Sequence, residues 1–129
     1  MRVLVTGSRT WTWHKPVHEA LSEYYEQAVG DGDRLVVVHG GAGRGADRIA
    51  RDWAAQAALF GWPVDQEAHP ADWSGPKRRG AGFARNAEMV ALGADACLAF
   101  IRDGSHGATH CAGLAEKAGI PTHRYPWED

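Results

Sequence analysis

The chain has 129 residues, 44% of them hydrophobic and 23% charged, which suits one ordinary globular core and leaves no room for two. A formal net charge of -2 argues against a general nucleic-acid binder, because such domains carry a basic excess or stripe. No apolar run approaches the ~20 residues of a membrane span, so no membrane partner is expected.

Residues 3–6 (VLVT) are short, apolar and β-branched, and Gly7 ends them; this predicts a buried strand. From Pro16 to Val29, apolar residues recur at helical spacing, with the proline suited to a first turn. GDGD (30–33) is a turn, and RLVVVH (34–39) is a second buried strand. Glycines follow, and then an alanine-rich helix over 46–61, stopped by Gly61. PVDQEAHP (63–70) predicts a third strand, and 70–82 a loop rich in Gly, Pro and basic residues. FARNAEMVALG (83–93) is helical and stops at Gly93. ADACLAFI (94–101) is a fourth strand, RDGSHG (102–107) a loop, 108–119 a helix, and PTHRYP (121–126) a last short strand.

Apolar runs alternating with helical segments imply a parallel sheet covered on both faces. The expected fold is α/β, a single Rossmann-like three-layer domain over 1–129 with a five-stranded, mostly parallel sheet. In such sheets the ligand sits beyond the carboxyl ends of the strands, where the strand order reverses. Three loops should therefore meet at one edge: TGSRTWTW (6–13), HGGAGRGAD (39–47) and RDGSHGAT (102–109). Glycine lets backbone approach a ligand, and a helix N-terminus offers unpaired N–H donors and partial positive charge. Together they can bind an anion without a lysine. Packing is the alternative use of such glycines. The second loop contains G-x-G-x-x-A at Gly41, Gly43 and Ala46, but after the second strand rather than the first. It also contains GxxxxG from Gly40 to Gly45, but Ala46-Asp47 stands where a P-loop has Lys-Ser/Thr, which argues against an NTPase.

VTGSRTW, HGGAGRGADRIARDWA, PADW, RNAEMV and GSHGATHCAGLAEKAGIP, in that order over nearly the whole chain, resemble the DUF2493 family of the SLOG superfamily. More distantly the chain is similar to the LOG-type phosphoribohydrolases and to the DNA-processing protein DprA. The resemblance implies a pocket for a nucleotide or nucleotide-derived ligand, sensed or processed. Gly7, Ser8 and Arg9 match the first-loop motif; Gly40, Gly41, Gly45 and Asp47 match the second. Arg85, Asn86, Glu88 and Met89 match the helix that carries a catalytic arginine in the LOG enzymes. Those enzymes end in G-G-x-G-T-x-x-E. Here Gly104 and Gly107 are kept, Ala108 replaces the threonine unless Thr109 substitutes by a one-residue slip, and Cys111 stands where the glutamate would be. A thiol cannot replace that carboxylate.

The expected ligand set is Gly7, Ser8, Arg9, Gly40, Gly41, Ala42, Gly43, Gly45, Asp47, Gly104, Ser105, Gly107 and Thr109. The phosphate is expected on the second and fourth strand loops, with Arg9 reaching across in bidentate fashion. Asp47 is open to two roles, an N-cap carboxylate or a partner for a ribose hydroxyl or metal. Arg85 and Glu88 could pair on one helix face or, with Asp47, serve as the acid/base set of a rival hydrolase that cleaves an N-glycosidic or phosphate bond. Lys77, Arg78 and Arg79 could close over a phosphate or form a solvated face. Trp11 and Trp13 could stack on a base or be buried; Trp53, at helical spacing with Ile49 and Phe60 nearby in register, is expected in the core, while Trp73 has no assigned role. His39 is expected to orient the glycine loop. His106, His110 and Cys111 are too few for zinc without help from His39 or Asp47, so no metal and no cofactor are expected. A second rival is a DprA-like single-stranded DNA-binding module, which the net acidity disfavours. Cys97 and Cys111, the only cysteines, are far from a disulfide framework, so a cytoplasmic location is expected. Homodimerisation or a higher homo-oligomer is expected as well.

Overall fold

The structure, a computed structural model, describes residues 1–74 and 80–127. The element order is β1 (Arg2–Gly7), α1 (His14–Gly30), β2 (Leu35–His39), α2 (Ala46–Leu59), β3 (Val64–Ala68), α3 (Ala81–Ala91), β4 (Ala96–Ile101), α4 (His106–Lys117) and β5 (Thr122–Pro126). The five strands form one sheet in the order β3-β2-β1-β4-β5, and every neighbouring pair is parallel.

Successive side chains of a strand point to opposite faces, and the two cores divide accordingly. Val3, Val5, Leu35, Val37, Leu98 and Phe100 pack with the buried faces of α1 and α2. Leu4, Val38 and Cys97 pack on the other face with Met89 and Val90 of α3 and with Cys111 and Ala115 of α4. The result is a three-layer Rossmann-like domain. The central strands β1, β2 and β4 are almost wholly buried, whereas β3 and β5 at the sheet edges carry exposed polar residues. Among the described residues no helix is long and apolar enough to cross a membrane.

α2 starts at Ala46 as expected, and the other three helices start two residues earlier than expected. α1 begins two residues before Pro16, because a proline in the first turn gives up an N–H that has no intrahelical acceptor. α3 and α4 each begin two residues early and so take in Gly82 and Gly107, which loop chemistry had claimed. α2 and α3 also stop two residues short of Gly61 and Gly93. Each of these glycines has a left-handed φ just past the helix end, as a helix stop requires.

The chain runs outward from β1 to β2 and β3, then returns to lay β4 on the other side of β1. The loops after β1 and β4 therefore diverge and leave a crevice between them.

Candidate functional site

Ser8 holds that crevice together. Its N–H donates to the Phe100 carbonyl at 2.9 Å, and its own carbonyl accepts from Trp11 at 3.1 Å and from Ala46 at 3.4 Å. Its hydroxyl accepts from the Arg102 N–H at 2.8 Å and donates to the Arg102 carbonyl at 3.1 Å. The ends of β1 and β4 and the start of α2 are thus tied at one residue, and the hydroxyl proton is committed within the protein.

A cavity of about 450 Å³ opens above this junction. Its lining comes from the β1 loop (Thr6 to Thr10), from Ala42 and Asp47, from the start of α3 and from the β4 loop running into α4. A smaller hollow adjoins it, lined by Arg9, Gly41, Ala42, Gly43, Arg44 and Trp73. The three loops do meet at one edge, and the space between them is not filled by packed side chains.

Each expected residue has a definite place. Gly7, Ser8, Arg9, Ala42, Asp47, Arg85, Ser105 and Gly107 line the cavity. Gly41 and Gly43 line the adjoining hollow. Gly40, Gly45, Gly104, Thr109 and Glu88 line neither. The second loop is tied down by its own hydrogen bonding. The Gly40 N–H donates to Asp47 at 3.1 Å, the Ala42 N–H also goes to Asp47, and the Gly41 N–H donates to His39 Nδ1 at 3.0 Å. His39 therefore carries its proton on Nε2, which meets Gln66 Oε1 at 2.8 Å. His39 orients the loop as expected. The amides of residues 40 to 42, however, serve Asp47 and His39, and the Ala46 N–H serves Ser8. The fourth loop differs. The first-turn N–H groups of His106, Gly107 and Ala108 have no acceptor within α4, and Gly107 and Ala108 line the cavity.

Asp47 is not an N-cap: Gly45 occupies that position, and no side chain caps the helix. The carboxylate lies in the first turn of α2 and folds back onto the loop before it. Burial pushes this carboxyl above the ordinary range, against the pull of Arg85 and of the two loop N–H groups. Arg85 does not pair with Glu88. Its Nη1 donates to the Gly40 carbonyl at 2.7 Å and the His69 carbonyl at 3.4 Å, and its Nε donates to Asn86 at 3.0 Å. Glu88 is exposed and stands 3.8 Å from His69. Asn86 is buried and donates to the Gly107 carbonyl at 3.1 Å, which joins α3 to the first turn of α4.

Cys111 is fully buried beneath Thr6, and burial pushes its thiol up to about 11; burial likewise raises Cys97 to about 12. Both are free thiols. Among the described residues no three His, Cys, Asp or Glu side chains converge to hold a metal. Lys77, Arg78 and Arg79 lie outside the described residues.

Of the two roles open to Trp11 and Trp13, the structure shows burial. Trp11 is buried, with its indole N–H on the Trp13 carbonyl at 2.7 Å, and its ring meets Trp13, Phe100 and Trp127 at 5.3–6.2 Å between centroids. Trp11 is thus a core aromatic, Trp13 packs against it from a partly buried position, and neither lines the cavity. Trp53 packs against that core from a partly buried position, while Phe60 is exposed at the far end of α2. The aromatics at the cavity are Trp73 and Phe83. Neither had a usable signal in the sequence, since Trp73 falls in a loop without periodicity and Phe83 looks like any helix-start apolar residue. Arg102 and Asp103 were also missed. Arg102 reaches the Thr10 carbonyl at 2.8 Å and lies 4.1 Å from the Trp127 ring centroid. Asp103, at φ 56°, is the only non-glycine with positive φ among the described residues.

Residues 1–75 match the YspA, cpYpsA-related SLOG family. The chain is also 50% identical over 121 residues to the Gene 61 protein of Mycobacterium phage D29, covering 93% of this chain and 92% of that protein. No solved structure matches it.

Proposed function

The chain belongs to the YspA, cpYpsA-related SLOG family, and on that footing we propose that it binds a nucleotide or nucleotide-derived ligand as a sensor or processing protein. The observation that carries this reading is the cavity at the β1/β4 crossover. Three guanidinium groups, from Arg9, Arg85 and Arg102, line it together with the open first turn of α4. The phosphate rests on the amides of Gly107 and Ala108 beside Ser105, with Arg9 across from them. The second loop acts as a wall, with its donors turned to Asp47 and His39. The ligand-binding unit is the whole domain, because the lining comes from residues spread between Thr6 and Ala108.

A hydrolytic reading is favoured by one observation, the buried Asp47 carboxyl at the cavity wall with its raised affinity for a proton. Binding without turnover is the stronger reading. Asp47 is occupied by the N–H groups of Gly40 and Ala42, Glu88 stands exposed outside the lining, and the Cys111 thiol is too weak an acid to serve near neutral pH. The same proposal includes action in the cytoplasm and self-association that covers the exposed Leu59, Phe60 and Trp62.

Mass spectrometry of small molecules released from the purified, denatured protein tests the reading. A nucleotide or derivative should co-purify, and AMP, NAD or ADP-ribose added to the protein should be retained unchanged. Accumulation of free base or phosphate during that incubation would transfer the case to the hydrolase.

A further inference from the structure

Seven large hydrophobic side chains are exposed among the described residues, and two of them, Trp73 and Phe83, line the cavity. Trp73 is 50% exposed and yet held in position. Its six-membered ring lies over Gly82, where an added Cβ would stand 3.3 Å from Cη2, and the Arg9 guanidinium sits 5.4 Å from the ring centroid. Phe83, 47% exposed on the first turn of α3, leans on His110 with 4.4 Å between ring centroids. The cavity lining therefore combines amides and guanidinium groups with two aromatic rings that water covers at a cost.

Resting on the nucleotide reading above, we propose that Trp73 and Phe83 form the subsite for the ligand's base and that the base is a purine. A flat heteroaromatic ring can stack on the indole while Arg9 holds the indole from the ring side it already occupies. Among the described residues, Arg85 and Asn86 at the start of α3 are turned to the Gly40 and Gly107 carbonyls, so their polar groups are engaged within the protein. Selection therefore follows stacking area, and the two-ring purine has the advantage over a pyrimidine. The tethered phosphate fixes the depth at which the base lies.

Calorimetric titration of AMP, GMP, UMP and ribose 5-phosphate into the wild-type chain and into Trp73→Ala, Trp73→Phe and Phe83→Ala tests this. The wild type should hold AMP and GMP at least ~10-fold more tightly than ribose 5-phosphate, with UMP between them. Trp73→Ala should erase that margin and leave the sugar phosphate within about 2-fold of wild type, and Trp73→Phe should restore most of it. Equal affinity of the wild type for AMP and ribose 5-phosphate, or unchanged AMP affinity in both alanine variants, overturns the base subsite and leaves phosphate binding standing. UMP binding as tightly as AMP overturns the purine assignment. If none of the four binds the wild type and NAD and ADP-ribose do not bind it either, the nucleotide reading itself fails and the subsite fails with it; if only NAD or ADP-ribose binds, the nucleotide reading stands and the mononucleotide base subsite is overturned.

Discussion

After β2 the chain runs through Gly40, Gly41, Ala42, Gly43, Arg44 and Gly45 into α2; after β4 it runs through Arg102, Asp103, Gly104 and Ser105 into α4, whose first turn holds His106 and Gly107. The two stretches have similar composition and the same position in the fold, and their glycines meet different surroundings. A Cβ on Gly45 would overlap the Ser8 carbonyl and stand 2.6 Å from the Arg9 Cα, and its φ of 78° with ψ of -156° is open essentially to glycine alone. A Cβ on Gly40 would overlap the Arg85 guanidinium and stand 2.9 Å from an Asp47 oxygen. Around Gly104 and Gly107 an added Cβ meets nothing within 4 Å. The β2 loop uses Gly40 and Gly45 for packing and the amides of residues 40 to 42 for Asp47 and His39. At the start of α4 the glycines are unobstructed and the first-turn amides have no acceptor within the helix, and that openness is what a ligand can use.

The largest expected effect follows from Gly45. Gly45→Ala should destabilise the fold by about 3 kcal/mol or more, because the obstructing atoms are backbone that cannot step aside. Gly107→Ala should leave stability unchanged or raise it by up to about 1 kcal/mol, since alanine suits a helix better, while lowering ligand affinity. Chemical denaturation of the two variants side by side reads the contrast, and equal losses in both would remove it.

Arg85→Met comes next. It removes the donors to the Gly40 and His69 carbonyls and should cost about 1–3 kcal/mol, measured by the same denaturation. A cost as small as that of an exposed substitution would show that Gly40 does not depend on Arg85.

Asp47→Asn probes the β2 loop through pH. Burial raises the proton affinity of Asp47 in the folded state, so the folded chain holds its proton at a pH where the unfolded chain has lost it. The contribution of protonated Asp47 is complete below the unfolded value of about 3.8 and is lost as pH rises through the raised folded value. The deficit of the Asn variant, about 1–2 kcal/mol in acid, should therefore narrow as pH climbs. A deficit that widens with pH would mean that Arg85 and the loop amides outweigh burial.

The smallest effect lies away from both loops and has the opposite sign. Hydrogen bonds from Arg2 and His69 pull Glu67 down to about 2, so its contribution is present above the ordinary 4.5 and is lost as pH falls toward 2. Glu67→Gln should cost no more than about 1 kcal/mol at neutral pH, because the pair is partly solvated, and nothing in strong acid. Stability measured at three pH values separates the two carboxylates.

The fold was legible because its signals are local and repeated. VLVT, LVVVH and ACLAFI are apolar on both faces, as buried parallel strands must be, and the helices between them fix the alternation. The meeting of three loops followed from that topology alone. What the sequence could not distinguish was the use of each glycine, because Gly45 and Gly107 look alike until the backbone of Ser8 and Arg9 is brought against one of them. The same holds for the aromatics. Trp11 and Trp73 both sit in loops near the edge, and only the long-range packing of Trp11 on Phe100 and Trp127 buries one and leaves the other beside the cavity.

The most direct measurement is an amide chemical-shift map of the wild-type chain titrated with AMP. Shifts should concentrate at Arg9, Thr10, Ser105, Gly107 and Ala108 and at the Trp73 indole, with Gly40 and Gly41 little changed. Shifts centred on Gly40 to Gly45 would return the anion to the packed loop, and shifts confined to the Leu59–Trp62 end of α2, or none at millimolar AMP, would contradict the account.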